Sequence, residues 1–393
     1  MLDVRNDFPF LERIVNGKPI RYLDNAATTQ KPRQVINCLT ELYASGVSNV
    51  HRAVNFLANE VTEAFEGGRE TVARFIGAQA REIAFVSNAT QAINVVSRAV
   101  KVNHVLTTTL EHHSNLLPWM DGRNVDFIPW RKDGAVDLDT LVQKLRAKPD
   151  LVAVTAASNL LGTLFPVKEI AGLCREAGVP VLVDASQAIA HVPQLVREIG
   201  CDFLVFSGHK IYGPSGTGVL YIRNEIIEDV SPAFLGGSMV KEVHADSYVV
   251  NDIPYRFEAG TPNIEGVIAL ASALDYFSKL GYEAVATHEA QLALYAKKRL
   301  SEIRGLTLYG PAPGEPCAPL ATFQLRGLES NGIAKILGNR ANVIVRSGFH
   351  CAQPAHDQLG IGPTVRASFG VYNTKDEIDC MVDVLKSLAG FLG

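Results

Sequence analysis

Several features are missing from this 393-residue sequence, and each absence excludes a class of protein. No window holds the roughly 18 to 20 uninterrupted apolar residues of a membrane span, and the first ten residues lack the cationic and apolar stretches of a secretory signal. The net charge is -4 and no basic stripe is visible, whereas nucleic-acid-binding proteins usually carry one. We therefore predict a cytoplasmic protein with no membrane or nucleic-acid partner.

Cysteine is scarce and scattered. The sequence has six cysteines, and no two of them form a CxxC pair. This spacing argues against a disulfide framework or a structural zinc knuckle, and it is typical of a reducing compartment. We therefore predict no metal site, although a metal-binding interaction module built on His350, Cys351 and His356, with His112 or His113, stays open as a remote alternative.

Apolar runs of strand length alternate with helical periodicity through the first two thirds of the chain. The segment 166–178 predicts one such helix, because Pro166 stands near its first turn and Gly178 at its end. The pattern indicates an α/β fold with a mostly parallel seven-stranded sheet between helices. The predicted strands are residues 82–87, 104–109, 125–130, 151–155, 179–184, 202–207 and 217–222.

The pattern changes after about residue 265. Long helices are predicted over 266–280 and 284–304, shorter strands around 319–326 and 342–346, and a last helix from about 374. We predict a large domain over residues 16–265, joined by the N-terminal segment 1–15, and a smaller C-terminal α/β domain over residues 266–393.

Polar residues gather where the predicted parallel strands end, which is where open α/β sheets bind ligands. Residues 87–90 lead into a helix whose free N–H groups form an anion seat, with the Thr90 hydroxyl able to help, or they form an N-cap alone. Asp184 ends a very apolar strand, so its carboxylate needs a cationic or N–H partner, unless it only caps the next turn. Lys210 follows another buried strand, where desolvation would make its amine a nucleophile, although a surface lysine is the alternative.

Together these three features match one cofactor. Pyridoxal phosphate needs an amine for its aldehyde, an acid for its pyridine nitrogen and an anion seat for its phosphate. Lys210, Asp184 and the turn at 87–90 supply one of each.

Longer motifs carry a specific resemblance. The sequences "DASQAIAHVP", "FLVFSGHKIYGPSGTGVLY", "EHHSNLLPW", "RFEAGTPN" and "RSGFHCAQP" resemble the SUF-type (group II) cysteine desulfurases and selenocysteine lyases. These enzymes belong to the class V aminotransferase family of pyridoxal-phosphate fold type I. The similarity runs from "YLDNAATTQKP" to "VRASFGVYNT", nearly the whole chain.

The resemblance implies roles for particular residues. Lys210 would bind the cofactor and move the substrate's α-proton, Asp184 would pair with the pyridine nitrogen, and His112 would stack on the ring as an acid/base group. Gln187 would bond the ring oxygen, while the phosphate would be held by Ala89, Thr90, Ser207, His209 and, from the other subunit of a homodimer, Thr261. Arg366 would grip the substrate carboxylate with help from Asn159, and the remaining pocket positions would be Ala27, His51, Arg52 and Arg346.

Cys351 is the residue on which the activity depends. By itself a lone cysteine is most often a small buried hydrophobe, but within "RSGFHCAQP" it matches the sulfur-accepting cysteine of the family, and we predict that His350 and Arg346 supply positive charge that favours its thiolate. The implied reaction converts L-cysteine, or L-selenocysteine in a lyase, to L-alanine. The sulfur would stay on Cys351 as a persulfide for an acceptor protein, as in iron–sulfur cluster assembly.

Some positions depart from the family pattern. Ala89 stands where many members have a threonine, Phe349 replaces a frequent histidine, and Gly332 occupies the place of a histidine found in members that work with a zinc-bound acceptor. Another pyridoxal C–S lyase of the same fold, in which Cys351 plays a smaller part, also stays open.

Overall fold

The chain folds around a seven-stranded sheet, seen in a computed structural model that describes residues 2–51 and 55–390. The strands are β1 (Ile14–Val15), β2 (Lys18–Pro19), β3 (Arg21–Tyr22), β4 (Ile83–Val86), β5 (His104–Thr107), β6 (Asn124–Phe127), β7 (Leu151–Thr155), β8 (Val181–Asp184), β9 (Phe203–Ser207), β10 (Gly218–Ile222), β11 (Val240–Val243), β12 (Tyr248–Val250), β13 (Leu306–Tyr309), β14 (Leu320–Leu325), β15 (Val343–Ile344), β16 (Arg346–Gly348) and β17 (Thr364–Ser368). The helices are α1 (Arg33–Ser45), α2 (Phe56–Ile76), α3 (Ala89–Ala99), α4 (Leu117–Met120), α5 (Leu138–Leu145), α6 (Val167–Ala177), α7 (Val196–Ile199), α8 (Ile264–Leu280), α9 (Tyr282–Ser301), α10 (Ser330–Ala341), α11 (Gln353–Leu359) and α12 (Lys375–Gly390).

The large sheet has the strand order β4-β10-β9-β8-β7-β5-β6. Strands β5 to β9 pair in parallel, and only β10 runs antiparallel to its two neighbours, β4 and β9. Every residue of β7, β8, β9 and β10 is buried, because helices cover both faces of the sheet. The predicted α/β fold with a mostly parallel seven-stranded sheet is confirmed.

Helix ends fall where the sequence signals them. Helix α6 begins directly after Pro166 and ends at Gly178, whose φ of 68° is a left-handed conformation that glycine adopts freely. Helix α3 begins after Asn88, whose side chain accepts a hydrogen bond from the Gln91 N–H. The start of α3 is therefore fixed beside the carboxyl ends of the central strands.

A glycine lets the start of α3 approach the sheet. A Cβ atom at Gly218 would lie 2.6 Å from the Cα of Asn88, closer than side-chain packing permits. Only glycine fits at the start of β10, so the turn at residues 87–90 can pack directly on that strand.

A second sheet, β13-β14-β17-β16, is antiparallel and packs against α9, α10 and α12. The predicted strand at 342–346 is divided into β15 and β16, and β15 pairs in parallel with β3 near the start of the chain. Residues 21–22 thus pair with the part of the chain that follows residue 265, while the division into domains at that residue stays a prediction. Among the described residues, none of the helices is both long and apolar enough to span a membrane.

Candidate functional site

A cavity of about 280 Å³ lies at the carboxyl ends of β8 and β9, beside the start of α3. It also borders β16, β17 and the loop before α11, so the two sheets both contribute to it. Thirteen of the predicted site residues line it: Ala27, Ala89, Thr90, His112, Asn159, Asp184, Gln187, Ser207, His209, Lys210, Arg346, Cys351 and Arg366.

Lys210 ends a single helical turn, Gly208–Lys210, that directly follows β9. Its side chain faces the cavity among densely packed neighbours, and burial lowers the pKa of its amine to about 8, while the carboxylate of Asp184 acts in the opposite direction. A substantial fraction of such an amine is neutral near neutral pH, which is the nucleophilic form.

Asp184 ends β8, and only 5% of its surface is exposed. Its Oδ1 accepts a hydrogen bond from the Ser186 N–H at 2.9 Å, and no cationic side chain lies within ion-pair distance of it in the described residues. Gln187, one turn further on, donates from Nε2 to the carbonyl of Ala26 at 2.7 Å. The cavity therefore holds a buried carboxylate that still lacks a cationic partner.

The predicted anion seat forms at the start of α3. The Ala89 N–H donates to the Ser207 hydroxyl at 2.9 Å, and Thr90 shares a 2.7 Å hydrogen bond with Ser114. Burial, with the neighbouring charges of Lys210 and Lys31, lowers the pKa of His209 to about 4, so its ring is neutral at neutral pH. The seat is made of hydroxyls, an imidazole and backbone N–H groups at a helix N-terminus, all of which suit a phosphate.

His112 is oriented by a neighbouring serine. The Ser114 N–H donates to His112 Nδ1 at 3.1 Å, which places the proton of the neutral ring on Nε2. Burial, followed by the charge of Lys210, lowers the pKa of His112 to about 3. His112 therefore enters the site as a neutral imidazole.

Arg366 lies on β17 with 2% of its surface exposed. It donates to the carbonyl of Asn159 at 2.7 Å and forms an ion pair with Asp24 at 3.3 Å. Its Nε is buried and has no hydrogen-bond partner among the described residues. The guanidinium group is thus fixed in place, and its Nε–H is among the donors left for a ligand.

Cys351 lies in a tight turn between β16 and α11. The Ala352 N–H donates to the carbonyl of Phe349, and the central residues His350 and Cys351 have φ values of 51° and 55°, the pattern of a type I′ turn. Such turns favour glycine or asparagine at their central positions, so this turn needs hydrogen bonds from residues outside it. The His113 N–H donates to the Cys351 carbonyl at 2.8 Å, and Asn159 Nδ2 donates to the His350 carbonyl at 2.6 Å.

The predicted source of charge around Cys351 is partly wrong. His350 is 4% exposed, and burial, with the nearby charge of Arg366, lowers its pKa to about 2, so it carries no charge. The cationic side chains that line the same cavity as Cys351 are Lys210, Arg346 and Arg366. The sequence showed His350 beside Cys351 but not its burial against Thr364, to which its Nε2 bonds at 2.9 Å.

Two predicted residues lie away from the cavity. His51 is exposed and its Nε2 lies 3.2 Å from Glu66, while Thr261 lines a separate cavity of about 460 Å³. Arg52 lies outside the described residues. The roles of these residues stay predictions.

Three residues of the site were missed at the level of sequence. Asp24 pairs with Arg366, Ser114 orients His112, and Glu111 lies fully buried behind them, where desolvation raises the pKa of its carboxyl to about 8. Ser114 and Glu111 belong to the same "EHHSN" segment as His112, so that segment was the available signal. Nothing in the sequence links Asp24 to Arg366, because the two are far apart along the chain.

The residues present fit pyridoxal phosphate. A half-buried amine, a buried carboxylate without a cationic partner and an anion seat surround one cavity, and the Ser186 hydroxyl and Arg366 Nε lack hydrogen-bond partners within the described ranges. A phosphorylated ring with a polar substrate would give such buried groups their partners. Fold and site together define a pyridoxal-phosphate enzyme of fold type I.

Comparison with known proteins identifies the family. The model of the class V aminotransferases matches residues 21–381, so the chain belongs to this family, whose members depend on pyridoxal phosphate. It is 42% identical to a probable cysteine desulfurase of Synechocystis sp., with 99% of this chain and 95% of that protein covered. It is 40% identical to a cysteine desulfurase of Pectobacterium atrosepticum, over 99% of this chain and 98% of the other.

Solved structures agree with this assignment. The apo cysteine desulfurase from Thermococcus onnurineus superimposes with a TM-score of 0.94 at 36% identity, covering 99% of this chain and 98% of that chain. The Escherichia coli cysteine desulfurase CsdA, in its S-sulfonic acid form, gives a TM-score of 0.89 at 32% identity, with the same coverage of 99% and 98%.

Proposed function

We propose that this chain is a pyridoxal-phosphate-dependent cysteine desulfurase that converts L-cysteine to L-alanine and retains the sulfur on Cys351. The observation that carries the proposal is the turn that presents Cys351 to the same cavity as Lys210 and Arg366. This reaction requires an amine, a cationic group that binds the substrate carboxylate, and a thiol, all in one cavity. The names of the relatives support the same activity.

The cofactor, when bound, draws electrons away from the Cα of an amino acid attached to it. Lys210 would attach the cofactor covalently, Asp184 would pair with its ring nitrogen, and Gln187 would bond the ring oxygen. Ala89, Thr90, Ser207 and His209 would hold the phosphate. This arrangement leaves the opposite wall of the cavity, from Arg346 to Arg366, for the substrate.

Arg366 would bind the substrate carboxylate. Its ion pair with Asp24 and its bond to the Asn159 carbonyl hold the guanidinium plane in a fixed orientation, and its free Nε supplies a donor. A planar guanidinium binds a carboxylate with two parallel hydrogen bonds, which fixes the substrate's orientation as well as its position. Ala27, Asn159 and Arg346 would complete this end of the site.

Lys210 and His112 would move the protons. Lys210 would take the proton from the substrate's Cα, a task for a neutral amine, and its lowered pKa supports that state. His112, neutral and protonated on Nε2, would exchange a proton at the substrate sulfur.

Cys351 would take the sulfur. Its thiolate attacks the sulfur of the substrate, a new S–S bond forms as the C–S bond breaks, and the electron pair of that bond returns to carbon, which is protonated to give alanine. The atoms balance, since cysteine and the Cys351 thiol become alanine and a Cys351 persulfide without any external oxidant or reductant. Lys210 and Arg366 line the same cavity as Cys351.

The working unit would be a homodimer with shared sites. His51 and Thr261 line surfaces away from this chain's own cavity, and the exposed apolar side chains of Phe234 and Leu235 lie in the same region as Thr261. An apolar surface of this kind commonly marks an interface. Thr261 would then reach the phosphate seat of the partner subunit, as the resemblance implies.

The finer assignments belong to this proposal as well. We infer a SUF-type enzyme that acts in the cytoplasm, with a large domain at residues 16–265 and a small one at 266–393 carrying Cys351. The persulfide would pass to a sulfur-acceptor protein, for instance in iron–sulfur cluster assembly. The motifs quoted from the sequence support this subtype.

The decisive experiment gives L-cysteine to the purified, cofactor-loaded chain and measures alanine and the mass of the Cys351 peptide together. Equal amounts of alanine and of persulfide at Cys351 in a single turnover are expected. Alanine without a Cys351 persulfide would contradict the sulfur-accepting role and favour another C–S lyase. Turnover of L-selenocysteine far above that of L-cysteine would favour a selenocysteine lyase, and the absence of turnover with both would contradict the proposed substrate.

A further inference from the structure

A second cavity, of about 420 Å³, lies away from the candidate site, between α9 and the segment 314–319. Its wall contains Lys297 and Cys317 together with three further titratable residues, of which Glu289 and His191 are the two that bond to each other. None of these residues takes part in the proposed desulfurase reaction.

Lys297 is a buried amine in contact with a thiol. It is 3% exposed, and its Nζ lies 2.9 Å from the Pro311 carbonyl and 3.1 Å from the Cys317 Sγ. No carboxylate lies within 4.0 Å of Lys297 in the described part of the chain. The thiol is thus the only side chain recorded as a hydrogen-bond partner of this amine within those residues.

The backbone around both residues is fixed. Lys297 lies inside the helix α9, and Cys317 is held by a β-bridge to Thr163 and by the following bond from the Ala318 N–H to the Gly162 carbonyl at 2.8 Å. The backbone positions of both residues are therefore fixed, and the bond from Nζ to the Pro311 carbonyl holds the buried amine beside the thiol.

A buried carboxylate faces the same cavity. Glu289 is 2% exposed, its Oε2 bonds to His191 at 2.8 Å, and its Oε1 has no hydrogen-bond partner among the described residues. A buried oxygen without a partner marks a place where a small polar molecule can bind. Hydrogen peroxide donates and accepts hydrogen bonds, and the cavity that Glu289 and Cys317 both line has room for a molecule of that size.

We propose that Lys297 and Cys317 form a peroxide-driven modification site, in which oxidation of Cys317 is followed by a covalent bond between its sulfur and the Lys297 amine. The inference does not depend on the desulfurase activity.

The chemistry balances in two steps. The Cys317 thiolate attacks one oxygen of hydrogen peroxide, the O–O bond breaks, and a sulfenic acid and one water molecule result. The Lys297 amine then attacks the sulfenic sulfur, the S–O bond breaks, and a second water molecule leaves with the proton lost from nitrogen. One peroxide is reduced, the sulfur is oxidised by two electrons, and the linked pair has two hydrogen atoms fewer than before. A thiol reductant reverses the link.

The chain supplies its own control thiols. Cys38 is half-buried like Cys317, but its recorded side-chain partner is the Ser272 hydroxyl rather than an amine. Cys174 and Cys201 are fully buried, and burial raises the pKa of each to about 12, which opposes thiolate formation. Among these four thiols, peroxide should therefore link only Cys317 to a lysine, while Cys38 can only proceed to free oxidised acids. Cys351 and Cys380, which are also half-buried, are mapped in the same peptide analysis.

The test treats the cofactor-loaded protein with a small excess of hydrogen peroxide and analyses its peptides by mass spectrometry. We expect a linked pair of peptides carrying Lys297 and Cys317, lighter by two hydrogen atoms and separated again by dithiothreitol. Free sulfinic acid at Cys317 with an unlinked Lys297 would overturn the proposal, as would an unmodified Cys317. A linked pair that keeps one additional oxygen would overturn the direct N–S bond.

Two variants test whether the link depends on this amine and this thiol rather than on misfolding. Lys297→Arg keeps the positive charge and a donor for the Pro311 carbonyl but removes the nucleophilic amine, so Cys317 should oxidise without forming the link. Cys317→Ser should leave Lys297 unmodified. A link from Cys317 to any residue in Lys297→Arg, or a link at Lys297 in Cys317→Ser, would contradict the assignment. Unchanged alanine formation in both would show that the variants are folded.

Discussion

Two lysine–cysteine pairs in this protein have contrasting surroundings. Lys210 and Cys351 share a polar cavity with a carboxylate, an arginine and several hydroxyls, whereas Lys297 and Cys317 are in direct contact in a mostly apolar one. In the first pair the two groups have different tasks. With Asp184 and Arg366 nearby, the Lys210 amine would hold the cofactor and the Cys351 thiol would accept the sulfur. In the second pair the amine bonds to the thiol and to the Pro311 carbonyl, and the thiol is its only side-chain partner within the described residues, so the two groups can react with each other. Neighbouring groups, rather than the residue types, determine what a buried amine does.

The largest effect is expected when Lys210 is replaced. Lys210→Ala should remove the covalent attachment of the cofactor and lower alanine formation by roughly a thousandfold or more, because both the attachment and the proton transfer are lost. Borohydride trapping of the cofactor and an alanine assay measure the two losses. Lys297→Arg is the matched control and should retain both properties; a Lys210→Ala protein that still traps the cofactor covalently would refute the assignment.

The two thiols can be compared in the same way. Cys351→Ala should keep the bound cofactor and its absorption but lose the persulfide, with alanine formation reduced by about a hundredfold, because the sulfur then has no acceptor in the cavity. Cys317→Ala should form persulfide at the normal rate. Labelling of persulfides with a thiol-reactive alkylating reagent and peptide mapping distinguish these outcomes, and normal sulfur release by Cys351→Ala would exclude Cys351 as the acceptor.

Replacing the two arginines of the first cavity should raise KM for cysteine to different extents. Arg366→Lys should raise KM for cysteine about tenfold or more, since an ammonium cannot form the planar pair of hydrogen bonds to a carboxylate. Arg346→Lys should have a smaller effect, because Arg346 is exposed and, among residues 2–51 and 55–390, forms no ion pair of the kind that Asp24 provides to Arg366. Steady-state kinetics of both variants test this order, and a larger KM change at Arg346 would reverse the assignment of the carboxylate site.

The smallest expected effect is the pH dependence of covalent cofactor attachment. Because burial lowers the Lys210 pKa from 10.5 to about 8, the rate of covalent cofactor attachment to the apo protein should rise with pH and level off above that value. At pH 7 about a tenth of the amine is neutral, so the rise to the plateau is about tenfold. Absorption of the bound cofactor, followed over a pH series, gives the midpoint. A rate that still increases beyond pH 10 would mean that the amine titrates like an ordinary lysine.

Much of the fold could be predicted because the signals are local. The seven strands of the large sheet read as apolar runs, and their ends in the structure fall within two residues of the predicted ones, except at Phe127, where the exposed β6 ends earlier. The pairing of β3 with β15 could not be predicted, since two-residue strands leave almost no pattern and their partners are far apart in sequence.

The site residues near strand ends could also be predicted from local sequence, whereas those that depend on tertiary contacts could not. Asp184 ends its strand, and Lys210 and Thr90 come three and four residues after theirs, so the general geometry of the sheet brought them together. The charge state of His350 and the position of His51 depend on tertiary burial, which a residue's neighbours in sequence do not report. Asp24 became visible only through its contact with Arg366.

The left-handed turn at Cys351 has a mechanical consequence. Each non-glycine residue in that conformation costs roughly 1–2 kcal/mol, and His350 and Cys351 adopt it one after the other. The hydrogen bonds from His113 and Asn159 hold the turn against this cost. Once those two bonds open, relaxation of the backbone at His350 and Cys351 favours a different conformation of the turn, so the hydrogen bonds from His113 and Asn159 control where the sulfur is presented.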